Sequence, residues 1–387
     1  MSRRGPALIV GAGPAGAALA VRLARAGRPV ALLERRRGPH DKVCGEFLSG
    51  EAVEALEALG LDLAALGAVP IGRARLSRGR DVAESALPFA ALSLSRRRLD
   101  EALIGLAQAE GAEVVRGFRV RALRPDAGGW RAEADDGRAA RGGEAFLGVG
   151  KHDLRGFPRP AGLHGDLAAF KMHWRLAPSQ TEALSGAVEL MLFGGGYLGL
   201  EPIEDGLANL CLVVRRQRLS QLGAWPAVLA SARADCALLD RRLTGAAPLW
   251  PRPLALAAIP YGLVARRTEG PWPLGDQAAV IPSFAGDGVA IALHSAALAA
   301  RIHLQGGDVA AYSREMARGI GLRVRGASLL SHALVRGPGQ AAAMAAVRAR
   351  PQLISAAASL TRIPQPAIRR AEAGAAPGDC SRRPVRA

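Results

Sequence analysis

Residues 42–50 read KVCGEFLSG and hold an ammonium (Lys42), a thiol (Cys44) and a carboxylate (Glu46) within five positions. Three chemistries suit such a stretch. It could present a reactive thiol or acid, ligate a metal, or form a wall against something flat and apolar. Gly45 and Gly50 allow close backbone approach, and Phe47 and Leu48 supply the apolar surface. Metal ligation is disfavoured, because Cys44, Cys211, Cys236 and Cys380 share no repeated spacing and no paired histidines accompany them. No metal site is therefore expected. Few, scattered cysteines also argue against a disulfide framework and for a reducing, cytoplasmic setting. Cys44 and Glu46 stay as candidate catalytic groups, with a small apolar side chain in a binding wall as the plainer reading of Cys44.

The second chemical signal is Gly11-Ala12-Gly13-Pro14-Ala15-Gly16. Gly11 permits a tight turn, Gly13 lets the backbone approach a pyrophosphate, and Gly16 lets the following helix lie close to a strand. Free N–H groups at that helix N-terminus suit phosphate oxygens. Glu34, followed by Arg35, lies 23 residues after Gly11, where a carboxylate can bind ribose hydroxyls. The third signal is distant. Gly275-Asp276 precedes PSFAGDGVA (282–290), whose Gly286 and Gly288 stand just before Val289 and a run of small and apolar residues that reads as a helix. Its N-terminal dipole suits a group that becomes negative, as a reduced flavin does.

These groups need particular elements to hold them. Ala7–Val10 reads as a buried strand, the stretch after Gly16 with Leu19 and Leu23 as a helix ended by Gly27, and 30–33 as a second strand: a βαβ unit with the glycines in its turn. The runs 168–176, 187–203 and 206–216, with 72–92, read as strands of a curved sheet. Alternation there puts Lys171 and His173 on one face and Met172 and Trp174 on the other. His173, Tyr197, Glu201 and Tyr261 are candidate substrate contacts. From about 308 the chain reads as Ala-, Leu- and Arg-rich helices, expected mainly to cover the domain, with contact at a membrane surface as the alternative.

Composition sets bounds. The 387 residues carry a net charge of +17, almost all from arginine, in short clusters across the chain. Aromatic residues make up 4%, too few for nucleic-acid stacking platforms, so no nucleic-acid partner is expected. The arginine-rich, apolar N-terminus looks like a leader, but the glycine turn explains it better. No 18-residue apolar window exists, so no spanning helix is expected, and no G-x-S-x-G elbow points to a hydrolase.

Taken together, VGAGPAG…ER, LSRRRLDEAL (94–103) and GD…P…GDG resemble FAD-dependent oxidoreductases of the p-hydroxybenzoate hydroxylase type. KVCGEF and the helical C-terminal part resemble the geranylgeranyl reductase-like branch. The resemblance implies an α/β fold: a Rossmann-like FAD-binding domain (1–70, 93–164 and 263–320), an inserted antiparallel substrate sheet (71–92 and 165–262), C-terminal helices (321–370) and a disordered tail (371–387). It implies that Asp276 meets the ribityl chain, that Gly286 and Gly288 pass beside the isoalloxazine, and that Arg96 lies near the pyrophosphate. It also puts the backbone at Val120 beside the adenine, Gly150 at the cofactor, and KVCGEF (Cys44 and Gly45 included) across the flavin. In 146–156, Val149 stands where many relatives have an aspartate that assists FAD and NADPH binding, so the reductant is either NAD(P)H directly or a partner flavin reductase. The implied activity is, first, hydroxylation of an apolar aromatic or polyketide-like molecule through a flavin C4a-hydroperoxide. Second comes reduction of isoprenoid or lipid double bonds, for which an acid such as Cys44 or Glu46 must supply a proton. Halogenation comes third, since W-x-W-x-I-P is absent.

Overall fold

A computed structural model of the chain describes residues 5–163 and 165–373. The expected tail lies outside these residues, as does Cys380, except that Ala371 and Glu372 complete the helix Gln365–Glu372.

Four consecutive apolar residues, Ala7–Val10, have no polar face to offer water, and all four are buried. They form the centre of a parallel sheet in the order Trp272–Pro273, Glu144–Leu147, Ala7–Val10, Val30–Glu34, Glu113–Arg116. The helices Pro14–Arg25 and Gly288–Leu304 lie over one face, with Leu19, Leu23, Ile291 and Leu298 in one core with Ile9. Gly16 makes the first contact possible, because a Cβ there would sit 1.9 Å from the Gly11 carbonyl oxygen. On the opposite face, a three-stranded sheet (Val120–Asp126, Gly129–Ala134, Ala139–Gly142) contributes Leu123 and Ala132 to a core with Leu8 and Val10.

The second layer is a larger sheet. Its order is Ala247–Pro248, Leu167–Arg175, Leu207–Arg215, Gly196–Ile203, Ala187–Phe193, Val69–Arg78, Asp81–Ser93, Phe47–Leu48, with Leu254–Ala257 also on Leu167–Arg175. The sequence reading expects this sheet to be antiparallel throughout. One junction is parallel, Ala187–Phe193 on Val69–Arg78, because two hairpins from distant parts of the chain join there edge to edge. Three helices between 216 and 243, absent from the sequence reading, cover its outer face, where Met172 and Trp174 share a core with Val228 and Leu239. Phe47–Leu48 pairs with Asp81–Ser93, so the KVCGEF segment runs from the parallel-sheet domain onto the edge of the larger sheet. The helices Val309–Leu334, Gly337–Ala349 and Gln352–Thr361 close the far side. No helix of the described residues is long and apolar enough to cross a membrane.

Candidate functional site: a dinucleotide cleft opening into an apolar cavity

The C-terminal ends of the parallel strands open into a cleft of about 930 Å³. Gly11, Gly13, Pro14, Ala15, Glu34 and Arg35 line one end, and Val120, Gly150, Gly275, Asp276, Gly288 and Val289 the rest. Two helix N-termini face it uncapped: neither Gly13 nor Asp287 gives a side-chain cap, so the first N–H groups of Pro14–Arg25 and Gly288–Leu304 stay available to a ligand. Glu34 is held by accepting from Ala12 N (3.1 Å) and Arg36 N (2.9 Å). Ala12 and Gly16 are themselves buried and serve the turn and the helix contact instead of lining the cleft.

Cations gather beside the glycine turn, with Arg96 Nη2 and Lys42 Nζ next to Gly13. Asp100 binds both Lys42 (2.7 Å) and Arg96 (2.8 and 3.0 Å). Burial disfavours charge on both Arg96 and Asp100. Their mutual attraction prevails, holding the guanidinium above and the carboxyl below their ordinary values; Cys44 adds to the first and Lys42 to the second. Lys151 pairs with Asp276 at 3.2 Å. An uncapped pair of helix ends, a basic centre, a buried acid suited to ribose hydroxyls and a cleft of this size fit FAD, with the Arg96 guanidinium and Lys42 ammonium beside Gly13.

Glu46 is the pivot between cleft and sheet. It is fully buried and its backbone sits at φ 63°, a left-handed conformation that costs a non-glycine residue about 1–3 kcal/mol. The geometry that holds it is specific. Its Oε1 accepts from Arg96 N (2.8 Å), at the positive end of the helix Arg96–Ala109, and from the Lys171 ammonium. Its Oε2 meets His173 Nε2 at 2.7 Å. Burial works against the carboxylate, but Lys171 and then His173 keep it below its ordinary value. Asp41, Glu46 and His173 bring one possible ligand atom each within 4.8 Å of one another, yet the cation on Glu46 is already the Lys171 ammonium.

Beyond the loop lies an apolar cavity of about 330 Å³. Val43, Cys44, Lys151, Asp276, Gly288 and Val289 border both spaces, so the cleft and the cavity adjoin at this junction. A Cβ at Gly45 or Gly288 would meet nothing within 4 Å, so both glycines leave open space. Leu76, Phe89, Leu190, Ile259 and Phe284 line the cavity, and Leu334, Val347 and Ile354 of the C-terminal helices close it. Tyr197 and Tyr261 also line it; burial keeps both phenols neutral. Tyr197 Oη lies 3.3 Å from Ser283 Oγ and 3.4 Å from Ser331 Oγ.

One wall is chemically different. Glu201 stands opposite Asn209 on the neighbouring strand and is almost fully buried. Asn209 Nδ2 donates to Gly45 O (2.8 Å), Cys44 O (3.2 Å) and Glu201 Oε1 (3.4 Å), which ties Glu201 to the KVCGEF loop. Burial, reinforced by the Glu46 charge, pushes the Glu201 carboxyl well above its ordinary value. The two neighbouring acids are thus driven apart, Glu46 towards its ionised form and Glu201 towards its protonated form.

Several expectations need correction. His173 shares a face with Lys171, but it holds Glu46 and stacks on Trp250 (4.8 Å) instead of lining the cavity. Strand alternation shows the face and not what covers it. Gly50 opens the helix Gly50–Ala58 against Phe89 and Ala90, away from the cleft. Gly286 borders the cavity, but its side is occupied: a Cβ would lie 2.6 Å from Phe47 Cδ1, and φ is +71°. Sequence reasoning missed Lys171, Asn209 and Lys151 as site residues. Their partners are far along the chain (Lys171 and Glu46 are 125 apart), and only the sheet register could reveal them.

Residues 4–144 match the family model described as FAD binding domain. Menaquinone reductase of Mycolicibacterium smegmatis is 34% identical over 145 residues, which are 35% of this chain and 35% of that protein. The match thus spans about a third of the curated relative. The myxobacterial chondrochloren halogenase CndH has the same fold, with a TM-score of 0.73 over 95% of each chain at 18% identity. So does PqsL of Pseudomonas aeruginosa, described as a probable FAD-dependent monooxygenase, at 0.66 over 86% of this chain and 95% of that one, with 19% identity. The matched residues include the glycine turn, Glu34 and Arg96 that line this cleft, and FAD is the cofactor that the match supports.

Proposed function

We propose that the protein is an FAD-dependent oxidoreductase that reduces a carbon–carbon double bond of a long, apolar, isoprenoid-type substrate. The observation that carries this is Glu201: a buried carboxyl in the cavity wall, pushed by burial towards its acid form and linked through Asn209 to the loop that borders both spaces. Reduction of a double bond needs a hydride on one carbon and a proton on the other. Reduced FAD supplies the two electrons as hydride when bound. Glu201 supplies the proton and is left as a carboxylate, then regains a proton from solvent. The Glu46–Lys171–His173 cluster fixes the loop and, through its negative carboxylate, keeps Glu201 in its acid form. The apolar walls admit a hydrocarbon chain and exclude water. The matched relative is a menaquinone reductase, and menaquinone carries an isoprenoid tail.

Hydroxylation is the second reading, favoured by the apolar lining. One experiment separates the two. The FAD-loaded protein is reduced without oxygen and mixed with a short-tailed menaquinone. Flavin reoxidation, with a product that stays two mass units heavier after exposure to air, supports the proposal. Flavin that reoxidises only with oxygen, or a product sixteen units heavier, overturns it. Whether NAD(P)H or a partner reductase loads the electrons follows from which of them reduces the bound flavin.

A further inference from the structure

Four leucines on the C-terminal helices stand in water. Leu322 is 84% exposed, Leu329 67%, Leu360 64% and Leu353 42%. Leu322 and Leu329 are seven residues apart on Val309–Leu334, and Leu353 and Leu360 are seven apart on Gln352–Thr361, so each pair lies on one face. The two faces adjoin, since Arg323 Nη1 donates to Leu360 O at 3.0 Å. Leu353 also lines the apolar cavity, together with Ile354, Ala357 and Ala358. Leu353 therefore connects the exposed leucine face to that end of the cavity.

The charge around them has one sign. From Met316 to Ala371 the sequence contains nine arginines and no aspartate or glutamate. Arg348 and Arg362 are neutralised by Asp81 and Asp287. Arg318 and Arg325 form no ion pair among the described residues, are exposed, and share the outer face of their helix with Leu322 and Leu329.

We propose that this leucine–arginine face docks on an anionic lipid bilayer and that apolar substrate passes from the bilayer into the cavity beside Leu353. Leucines enter the acyl boundary while the arginines meet lipid phosphates. A second copy of the chain is a poorer occupant, because it would bring the same unpaired arginines face to face. The docking stands on the surface alone; the passage of substrate rests on the function proposed above.

The test is flotation of the FAD-loaded full chain with vesicles of phosphatidylcholine containing 30% phosphatidylglycerol, and with phosphatidylcholine alone. Binding to the anionic vesicles is expected to exceed binding to the neutral ones at least tenfold and to weaken in high salt. Leu322→Ser/Leu329→Ser is expected to reduce it at least tenfold with unchanged flavin absorbance and melting temperature. Arg318→Glu/Arg325→Glu is expected to abolish the anionic preference. Equal partition of parent and leucine variant overturns the proposal, as does failure to float with anionic vesicles. So does a concentration-dependent dimer that the leucine variant dissociates, which would assign the face to a second copy. Reductase activity plays no part in this readout, so failure of the proposed reaction leaves it intact.

Discussion

Glu46→Gln is the sharpest perturbation available, because it changes one charge and almost no volume. In the parent protein the Glu46 carboxylate binds Lys171, His173 and the N–H of Arg96, all in a place water does not reach. Glutamine keeps an acceptor for Arg96 N. It leaves the Lys171 ammonium, itself fully buried, without a counter-charge. Removing one partner of a buried pair costs about 3–5 kcal/mol, mostly the penalty for the orphaned charge. At roughly 2.1 cal/mol/K of unfolding entropy per residue, a chain of this length gains about 0.8 kcal/mol/K, so the melting point falls by about 4–6 °C. Scanning calorimetry of the FAD-loaded protein measures it. The sign with pH is fixed. The folded pKa of Glu46 is depressed, so its contribution is complete above its ordinary value of 4.5 and is lost as pH falls through the lower folded value. The difference between parent and variant should thus be constant across neutral pH and shrink only in acid. Glu46→Gln/Lys171→Met removes the orphan and should recover most of the loss. A variant within 1 °C of the parent at pH 7 refutes the reasoning, as does a double variant no more stable than the single one.

Glu201→Gln should retain FAD while slowing double-bond reduction by about 10²–10⁴-fold, the usual share of a general acid, read in single-turnover kinetics. Because the folded pKa of Glu201 is raised, its contribution is complete below 4.5 and is lost as pH rises; denaturant titrations of the variant should show a flatter fall of stability from pH 5 upward. Two glycines should fail differently. Gly16→Ala puts a Cβ 1.9 Å from Gly11 O and should prevent folding of the βαβ unit, seen as insoluble protein. At Gly288 a Cβ meets no atom within 4 Å, so Gly288→Val should give a folded protein that purifies without flavin absorbance. Cys44→Ser should keep both fold and flavin, since a hydroxyl can still accept from Glu46 N, which lies 3.4 Å from Cys44 Sγ, and from Arg96.

The cofactor half was legible because its physics is local. A tight turn, a close helix contact and an acid at a strand end must occur in order within thirty residues, and Gly11, Gly16 and Glu34 do so. The distant Gly275-Asp276 and Gly286–Gly288 segments could be read for a similar reason: each is a short loop preceding a helix or turn. The substrate half was not legible in the same way. Period-two alternation placed Lys171 with His173, but gave no hint that the chain 125 residues earlier would insert Glu46 against them. Nor does any local pattern mark Glu201 as an acid with a raised pKa. That depends on burial within the larger sheet and on the Glu46 charge, both set by tertiary structure. The helices at 216–243 were overlooked because they cover the outer face of a sheet whose strands dominate the pattern on either side.

The opening motif gains a meaning from this contrast. Cys44 supplies main-chain contacts: its carbonyl and that of Gly45 both accept from Asn209. Glu46 does not reach into the cavity as a free acid, because both of its oxygens are engaged and its charge is fixed by Lys171. A carboxylate so well paired is a poor proton donor at neutral pH. What it can do is act on its neighbour: a permanent negative charge close by raises the cost of ionising Glu201, which burial has already made high. The strained backbone at Glu46 follows from the same requirement. The side chain must turn back under the loop to meet Lys171 and His173, leaving Gly45 open to the cavity. The cost of a left-handed residue at Glu46 is thereby tied to the proposed chemical role, in which one acid is held ionised so that burial and its charge favour the acid form of another.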